Sequence, residues 1–230
     1  MTVLGIVPAR GGSKGLPNKN LRPLGGQSLL ARTIAAAGNS RSLTRTVLST
    51  DDPAIAEAGL ALGLDVPFMR PPALAADDTP MLPVLRHAVE TLARDGFQAD
   101  VVVLLQPTSP FRRAEHIDAA VDLLAASGAD SVVSVVEVPH QFSPVSVLTV
   151  SDGRVQPYAP GPLVTRRQDK PRVYARNGPA VLAVRVSVLE QGHLYGGDCR
   201  PLIMTAAESV DIDDQHDFEY AEFLVSRIRQ

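Results

Sequence analysis

The chain has 230 residues, of which 45% are hydrophobic and 20% are charged, as in an ordinary globular protein. Its net charge of -3 argues against a generally basic surface for nucleic acid, and its one cysteine, Cys199, excludes an intramolecular disulfide. No apolar run approaches the roughly 20 residues of a membrane span, and the N-terminus reads as a strand rather than a signal peptide. We therefore expect a cytoplasmic protein that binds neither nucleic acid nor membrane.

Apolar runs of strand length alternate with segments of helical spacing along most of the chain. The runs are continuously apolar, as in strands covered on both faces, and lie at residues 3–7, 46–49, 101–105, 131–136 and 180–186. Helices are predicted at residues 28–37, 53–62, 82–92, 117–124 and 221–228. Pro53 behind an acidic residue is typical of a helix start. This alternation predicts an α/β fold with a mostly parallel sheet, whose ligands bind beyond the carboxyl ends of the strands.

Residues 137–176 interrupt the alternation. They contain six prolines and no convincing helical pattern. The sequence SDGR at 151–154 is a turn signal between two short extended stretches, 145–150 and 155–158. We predict one domain over residues 1–230 that carries this excursion as an arm, and arms of this length commonly serve as lids or subunit contacts.

The loop that follows the first predicted strand is strongly basic. Residues 7–26 read VPARGGSKGLPNKNLRPLGG and contain four cations and no acidic residue. Gly11 and its neighbouring glycines let the backbone approach a ligand closely, and N–H groups after a strand can bind phosphate oxygens. The loop matches neither the Walker motif nor the dinucleotide fingerprint. On spacing alone, a solvated basic loop is therefore an alternative to a phosphate site.

An acidic segment lies near the other end of the chain. Residues 208–222 carry seven acidic residues and no lysine or arginine. In an extended segment Asp211 and Asp213 point the same way, and Mg²⁺ commonly takes one or two such carboxylates together with substrate phosphates. The alternative is an acidic helix N-terminus, which we favour for Asp214. Cations on one wall and a carboxylate-bound metal on the other are the electrostatic arrangement of phosphoryl-type transfer.

Several motifs, taken in order, resemble those of the acylneuraminate cytidylyltransferase family, to which CMP-Kdo synthetases are more distantly related. They are VPARGGSKGLPNKNLRPLGGQSLL at the N-terminus, VLSTDD at 47–52, RPPALAADDT at 70–79, LLQPTSPFR at 104–112, VVSV at 132–135, RNG at 176–178 and VDIDDQHD at 210–217. The resemblance covers nearly the whole chain. Each motif alone is weak, but their ordered combination is highly specific.

The resemblance implies a nucleotide-diphosphosugar-transferase-like, Rossmann-like three-layer sandwich and a homodimer built through the arm. It implies transfer of CMP from CTP to an acidic sugar acid, with release of pyrophosphate. Around the nucleotide it places Arg10, Gly11, Ser13, Lys14, Lys19 and Asn20, and around the base and ribose Arg70, Asp78 and Thr79. Facing or near the acceptor it places Gln106, Arg112, Arg167, Gln168 and Asn177. Asp211 and Asp213 would carry Mg²⁺, which Mn²⁺ can replace, and the expected catalytic residues are Arg10, Lys14, Lys19, Gln106 and Asp211.

The part of the chain expected to bind the acceptor departs from the family pattern. No lysine occurs between Lys19 and Lys170, and NGPAVLAV lacks the aromatic hydroxyl that often follows the Asn-Gly pair in the family. A basic cluster at 166–176 still predicts an anionic acceptor. The candidates are a sialic, legionaminic or pseudaminic type of nonulosonic acid, a Kdo-like acid, or a small phosphonate. Transfer of another nucleotide, and a non-catalytic nucleotide-binding protein, are the competing functions.

Overall fold

The computed structural model describes residues 1–12, 15–161 and 164–228. Its strands are β1 (Val3–Pro8), β2 (Pro23–Leu24), β3 (Gln27–Ser28), β4 (Arg45–Ser49), β5 (Val101–Leu104), β6 (Ser131–Glu137), β7 (Leu148–Ser151), β8 (Arg154–Pro157), β9 (Tyr174–Arg176), β10 (Leu182–Arg185) and β11 (Cys199–Met204). Its helices are α1 (Leu29–Gly38), α2 (Pro53–Ala61), α3 (Met81–Arg94), α4 (Ala114–Ser127), α5 (Val186–Glu190) and α6 (Gln215–Ile228). None of the helices in these ranges is both long and apolar enough to cross a membrane.

A mixed sheet with the strand order β11-β6-β10-β5-β1-β4 lies at the centre. β9 pairs with the carboxyl-terminal end of β6. β4, β1 and β5 are parallel, and so are β6 and β11. β10 runs antiparallel to both of its neighbours. The predicted α/β fold with a mostly parallel sheet is confirmed, with β10 as the main exception in direction.

Side chains at the starts of α1 and α2 satisfy backbone N–H groups, and the acidic start of α2 was predicted from the sequence. The Ser28 hydroxyl accepts a hydrogen bond from the Ala31 N–H at 3.1 Å and caps α1. The Asp52 carboxylate accepts one from the Ala54 N–H at 2.8 Å, and Pro53 occupies the first position of α2. Such caps stabilise a helix because its first N–H groups have no partners within the helix.

The sheet carries apolar layers on both faces, which explains why its strands read as continuous apolar runs. In β1, Val3 and Val7 pack into the layer that contains α1 and α4. Leu4 and Ile6 pack into the opposite layer, against α3 and α5. A third cluster brings Leu16 of the N-terminal loop against Ile212 and α6. This cluster fixes the basic loop next to the acidic segment.

The excursion contains the predicted hairpin. β7 and β8 pair with each other and with no other strand among the described residues, and the turn between them has Asp152 and Gly153 at φ 52° and 72°. All residues of both strands are exposed, including Val150 at 75% and Val155 at 64%. Apolar side chains this exposed on a hairpin are typical of an interaction surface.

Candidate active site

A cavity of about 360 Å³ opens beyond the carboxyl ends of β1 and β5. The loop after β1 supplies one part of its wall, the residues after β5 supply another, and the segment before α6 supplies a third. The polar side chains that face it include Arg10, Lys19, Asn20, Arg70, Gln106 and Asp213. This is the position at which ligands bind in parallel α/β sheets.

The basic loop and the acidic segment are in direct contact. The Lys19 ammonium donates a hydrogen bond to the Ile212 carbonyl oxygen at 2.6 Å and lies 3.3 Å from the Asp213 carboxylate. Gly15 approaches the same segment so closely that a Cβ at this position would lie 2.4 Å from the Asp213 carbonyl oxygen. The two charged regions of the sequence therefore form two walls of one cavity.

Arg10 and Asn20 are held together at the entrance to the loop. The Asn20 amide donates a hydrogen bond to the Arg10 carbonyl oxygen at 3.0 Å, and Asn20 is buried. The Arg10 guanidinium forms an ion pair with Asp77. The predicted phosphate-binding residues Ser13 and Lys14 lie outside the described residues.

Gly11 is held against the residues that follow β4. Its N–H donates to the Asp51 carboxylate at 3.1 Å and so has a protein partner. A Cβ on Gly11 would lie 2.7 Å from Oδ2 of Asp52. A side chain at this position would therefore force the Asp52 side chain to shift.

Arg70 is a buried cation fixed by the end of β4. Its Nε donates to the Ser49 hydroxyl at 3.1 Å, its Nη2 donates to the Ser49 carbonyl oxygen, and its own N–H donates to the Thr50 carbonyl oxygen at 2.7 Å. Burial lowers the pKa of Arg70 to about 10, so the guanidinium stays charged at neutral pH. A positive charge held in one place by the sheet is suited to binding a phosphate or a carboxylate.

Asp211 has the features of a cation ligand. Burial raises the pKa of Asp211; a hydrogen bond from Thr108 opposes that shift, and the nearby Asp213 charge adds to it. Oδ1 of Asp211 is buried and has no hydrogen-bond partner in the structure. No group of three or more His, Cys, Asp or Glu side chains that could hold a metal occurs within the described ranges. An ion held here would therefore take the two carboxylates and draw its other ligands from substrate and water, which suits Mg²⁺.

Two residues expected to face or lie near the acceptor are buried instead. Arg112 is only 4% exposed, and its Nη1 donates to the carbonyl oxygens of Gln106 at 2.9 Å and Ala180 at 2.8 Å. Burial lowers the pKa of Arg112 to about 9. Asn177 is also buried; its Oδ1 accepts from the Ser134 hydroxyl at 2.6 Å. Neither side chain lines the first cavity, and Nε and Nη2 of Arg112 are buried with no hydrogen-bond partner among the described residues, so the acceptor roles of the two residues stay predictions.

The remaining predicted residues are divided between two places. Gln106 lines the cavity, whereas Arg167 and Gln168 line a second cavity of about 720 Å³ between the arm and the end of β6. Asp78 and Thr79 do not line the first cavity; the neighbouring Asp77 does. Asp77 is the side chain that the sequence analysis missed; it lies beside Asp78 in the RPPALAADDT motif, and nothing in the sequence indicates that it pairs with Arg10.

Comparison with known proteins identifies the family to which this chain belongs. Residues 4–224 match the family model described as cytidylyltransferase. The chain belongs to the cytidylyltransferase family. This membership confirms the predicted family and the predicted enzyme class, a nucleotidyltransferase.

Curated relatives resemble this cytidylyltransferase over nearly all of its length. It is 36% identical over 230 residues to the CMP-N,N'-diacetyllegionaminic acid synthase of Legionella pneumophila, with 98% of this chain and 97% of that protein covered. It is 35% identical to N-acylneuraminate cytidylyltransferase A of Danio rerio, where the match covers 96% of this chain and 50% of that longer protein.

Among solved structures, the cytidylyltransferase is similar to CMP:2-keto-3-deoxy-manno-octonic acid synthetase in complex with CTP. The TM-score is 0.74 at 19% sequence identity, and the match covers 99% of this chain and 100% of that one. At this level of identity the similarity establishes the fold. It confirms the predicted nucleotide-diphosphosugar-transferase-like architecture.

Proposed function

We propose that this cytidylyltransferase transfers CMP from CTP to a hydroxyl of an acidic, nonulosonic-type sugar acid and releases pyrophosphate. The observation that carries the proposal is the cavity lined by the cations Arg10, Lys19 and Arg70 and by Asp213, with the buried, unpartnered carboxylate oxygen of Asp211 two residues away from Asp213. Fixed cations next to a carboxylate pair suit a triphosphate and a divalent ion, and they suit few other small ligands.

The three cations act by holding negative charge. Arg10 and Lys19 come from the loop after β1 and would neutralise the phosphates that leave as pyrophosphate. Arg70 is fixed by Ser49 and keeps its place without reorganisation. Fixed donors stabilise charge that develops in the transition state more than charge in the ground state, because they need not move during the reaction. No nucleophilic side chain is needed, since the acceptor hydroxyl forms the bond to the α-phosphorus.

Asp211 and Asp213 would hold Mg²⁺ beside Lys19. The buried, unpartnered Oδ1 of Asp211 and its raised pKa both indicate a carboxylate that a cation would stabilise. A bound Mg²⁺ supplies charge neutralisation at the α-phosphate and lowers the pKa of a coordinated hydroxyl. Lys19 limits the repulsion between the two carboxylates and orients Asp213 toward the cavity.

The acceptor assignment rests on the relatives and on the arm. The legionaminic acid synthase is similar over nearly its full length, which favours a nonulosonic acid as acceptor. The arm supplies cations for an acceptor carboxylate from Arg167, Lys170 and Arg172, which line the second cavity. Arginine suits a planar carboxylate because its guanidinium can form two parallel hydrogen bonds.

A homodimer is part of the proposal. Arg167 and Gln168 line a cavity that shares no described residue with the first cavity of the same chain. An arm that serves catalysis would therefore act in the site of a second copy, as the family resemblance implies. The exposed apolar hairpin β7–β8 offers a surface for such pairing. We place the enzyme in the cytoplasm, where nucleoside triphosphates are available.

A pyrophosphate-release assay tests the proposal. The purified chain is incubated with Mg²⁺, with CTP, ATP, GTP or UTP, and with legionaminic acid, N-acetylneuraminic acid, Kdo or a small phosphonate. We expect release with CTP and a nonulosonic acid. If pyrophosphate is released with the phosphonate and with no sugar acid, the acceptor is a phosphonate and not a nonulosonic acid. If pyrophosphate is released with GTP and not with CTP, the transferred nucleotide is GMP and not CMP. CTP binding without turnover on any acceptor would indicate a non-catalytic protein.

A further inference from the structure

The ion pair between Arg10 and Asp77 lies between two neighbouring cavities. The inner cavity is the one of about 360 Å³ described above. The outer cavity, of about 500 Å³, is lined by Gly11, Gly12 and the residues around Asp51. Arg10 and Asp77 line both cavities, and their side chains are paired. The pair therefore lies at the boundary between the two cavities.

The charges on the two sides of this pair differ. The inner cavity is lined by the cations Lys19 and Arg70 in addition to Arg10, and by the anion Asp213 in addition to Asp77. The outer cavity contains Asp51 and Asp52, whose carboxylates already accept backbone N–H groups of the Gly11 loop and of α2. A polyanion would therefore be attracted to the inner side, where Arg10 is the first cation it meets at the boundary.

The pair is also weak enough to be exchanged. Its two side chains are 32% and 36% exposed, and partly exposed ion pairs contribute little to stability because water screens them. A triphosphate offers several anionic oxygens to one guanidinium, and such charge-assisted contacts are stronger than a single screened carboxylate contact. Breaking the pair thus costs less free energy than the contacts of Arg10 with the phosphates supply.

We propose that Asp77 competes with the substrate's phosphates for the Arg10 guanidinium. Binding of a triphosphate transfers Arg10 from Asp77 to the phosphates. When pyrophosphate leaves, the pair re-forms. Asp77 thereby sets the affinity of the site for both triphosphate and pyrophosphate. This inference rests on the proposed use of CTP, and Asp77 acts through Arg10 as a positioning residue.

The direction of the effect separates competition from simple support. If Asp77 competes, Asp77→Asn tightens binding of inorganic tripolyphosphate and pyrophosphate by about two- to fivefold, the range of a partly exposed ion pair. Asp77→Glu keeps the charge and should restore the affinity of the unaltered protein. If Asp77 instead holds Arg10 in the binding position, Asp77→Asn weakens binding. Glu57→Gln, on the exposed face of α2, removes the same charge elsewhere and should change nothing.

The experiment is calorimetric titration with inorganic tripolyphosphate, with CTP turnover measured in parallel. It uses the unaltered chain, Asp77→Asn, Asp77→Glu, Glu57→Gln, Arg10→Met and the double variant Arg10→Met/Asp77→Asn. We expect the gain from Asp77→Asn to be largely lost when Arg10 is absent, because the two residues act as a pair. An unchanged or weaker affinity in Asp77→Asn, an equal gain without Arg10, or no tripolyphosphate binding by any variant would overturn the inference.

The two parallel readouts keep the inference distinct from the proposed function. A tripolyphosphate gain in Asp77→Asn without CTP turnover by the unaltered chain would leave the Arg10–Asp77 competition standing and remove the proposed function. Normal CTP turnover by the unaltered chain, with no gain in tripolyphosphate affinity in Asp77→Asn, would leave the proposed function standing and remove the Arg10–Asp77 competition.

Discussion

The Lys19 ammonium lies 3.3 Å from the Asp213 carboxylate, although the two residues are 194 positions apart in the sequence. The Lys19 side chain is 12% exposed and that of Asp213 is 80% exposed. Lys19 is thus a fixed cation at the junction of the two walls, while Asp213 presents most of its carboxylate to solvent and ligand. This contact joins the part of the site that would hold phosphates to the part that would hold the metal.

Removal of the Lys19 charge should impair turnover more than folding. In Lys19→Met we expect kcat/KM for CTP to fall by about 10²–10³, the usual loss when one fixed donor is removed from a preorganised site. Thermal unfolding should shift only modestly, because the aliphatic part of the side chain is kept. Arg94→Met, at an exposed position at the end of α3, is the control. Steady-state kinetics showing no difference between the two variants would exclude a role for Lys19.

The proposed metal ligands can be separated from their acidic neighbour. In Asp211→Asn and Asp213→Asn we expect the Mg²⁺ concentration for half-maximal rate to rise at least about tenfold, since each variant removes one of two carboxylate ligands. Asp214→Asn is a close control, because the Asp214 carboxylate accepts the His216 and Asp217 N–H groups and asparagine is also a good helix cap. The initial rate of each variant is measured as a function of the Mg²⁺ concentration. A normal Mg²⁺ requirement in Asp211→Asn would contradict the assignment.

Gly15 provides a steric test of the contact between the two walls. A Cβ at Gly15 would lie 2.4 Å from the Asp213 carbonyl oxygen, so the loop and the acidic segment must separate in Gly15→Ala. We expect CTP turnover to fall at least about tenfold, because small displacements in a preorganised site are costly. Gly38→Ala is the control, since a Cβ there meets nothing within 4 Å. Equal turnover in both variants would show that the contact does not matter.

Much of the fold could be predicted because its strands are covered on both faces. Residues there must be apolar at every position, so β1 and β5 are visible as uninterrupted runs. The direction of β10 could not be predicted, because such a run reads the same in a parallel or an antiparallel strand. β11 was missed because it is mostly exposed and contains Pro201, both of which are typical of an edge strand.

The charged segments of the candidate site could be predicted from the sequence, but the positions of individual side chains could not. The basic loop and the acidic segment were identified, and they meet in the structure. The burial of Arg112 and Asn177 was not predicted, because a motif gives the residue type and not which way the side chain points. Asp77 was overlooked for the same reason: its partner Arg10 lies 67 positions away in sequence.

Asp118 gives the fold a pH-dependent contribution. It is buried on α4 and accepts hydrogen bonds from the Ser40 hydroxyl at 2.6 Å and the Ser42 N–H at 3.1 Å. Burial raises the pKa of Asp118, but these hydrogen bonds outweigh burial and leave the pKa below its usual value. The ionised form therefore stabilises the folded chain above the unfolded-state pKa of about 4, and this stabilisation is lost as pH falls through the folded-state value.

Asp118→Asn should accordingly lower the free energy of unfolding by about 1–3 kcal/mol at pH 7, because a neutral amide oxygen accepts the Ser40 and Ser42 hydrogen bonds more weakly than a carboxylate. The amide NH2 would also face the Arg41 N–H and guanidinium. The difference from the unaltered chain should shrink below about pH 4. Asp122→Asn, an exposed partner of Arg41, should change stability by less than about 1 kcal/mol. Urea unfolding at the two pH values measures this, and a difference that grows on acidification would refute the assignment.

The exposed hairpin offers a test of the proposed homodimer. Val150 and Val155 are 75% and 64% exposed, and burial of either side chain at a subunit contact would make a charge there unfavourable. We expect Val150→Glu and Val155→Glu to dissociate the dimer and to raise the KM for the acceptor more than that for CTP. Leu60→Glu, at a residue 61% exposed on α2, is the matched control. Light scattering after size-exclusion chromatography measures the oligomeric state, and steady-state kinetics measures the two KM values. If both hairpin variants remain dimeric, the hairpin does not form the subunit contact.

The most direct measurement is mass spectrometry of the products formed from CTP and N,N'-diacetyllegionaminic acid in the presence of Mg²⁺. We predict one new species whose mass is that of the acceptor plus CMP less water, formed in a one-to-one ratio with pyrophosphate and absent when Asp211→Asn replaces the unaltered chain. Hydrolysis of CTP without any acceptor adduct, or an adduct formed equally well by Asp211→Asn, would contradict cytidylyl transfer in this cavity.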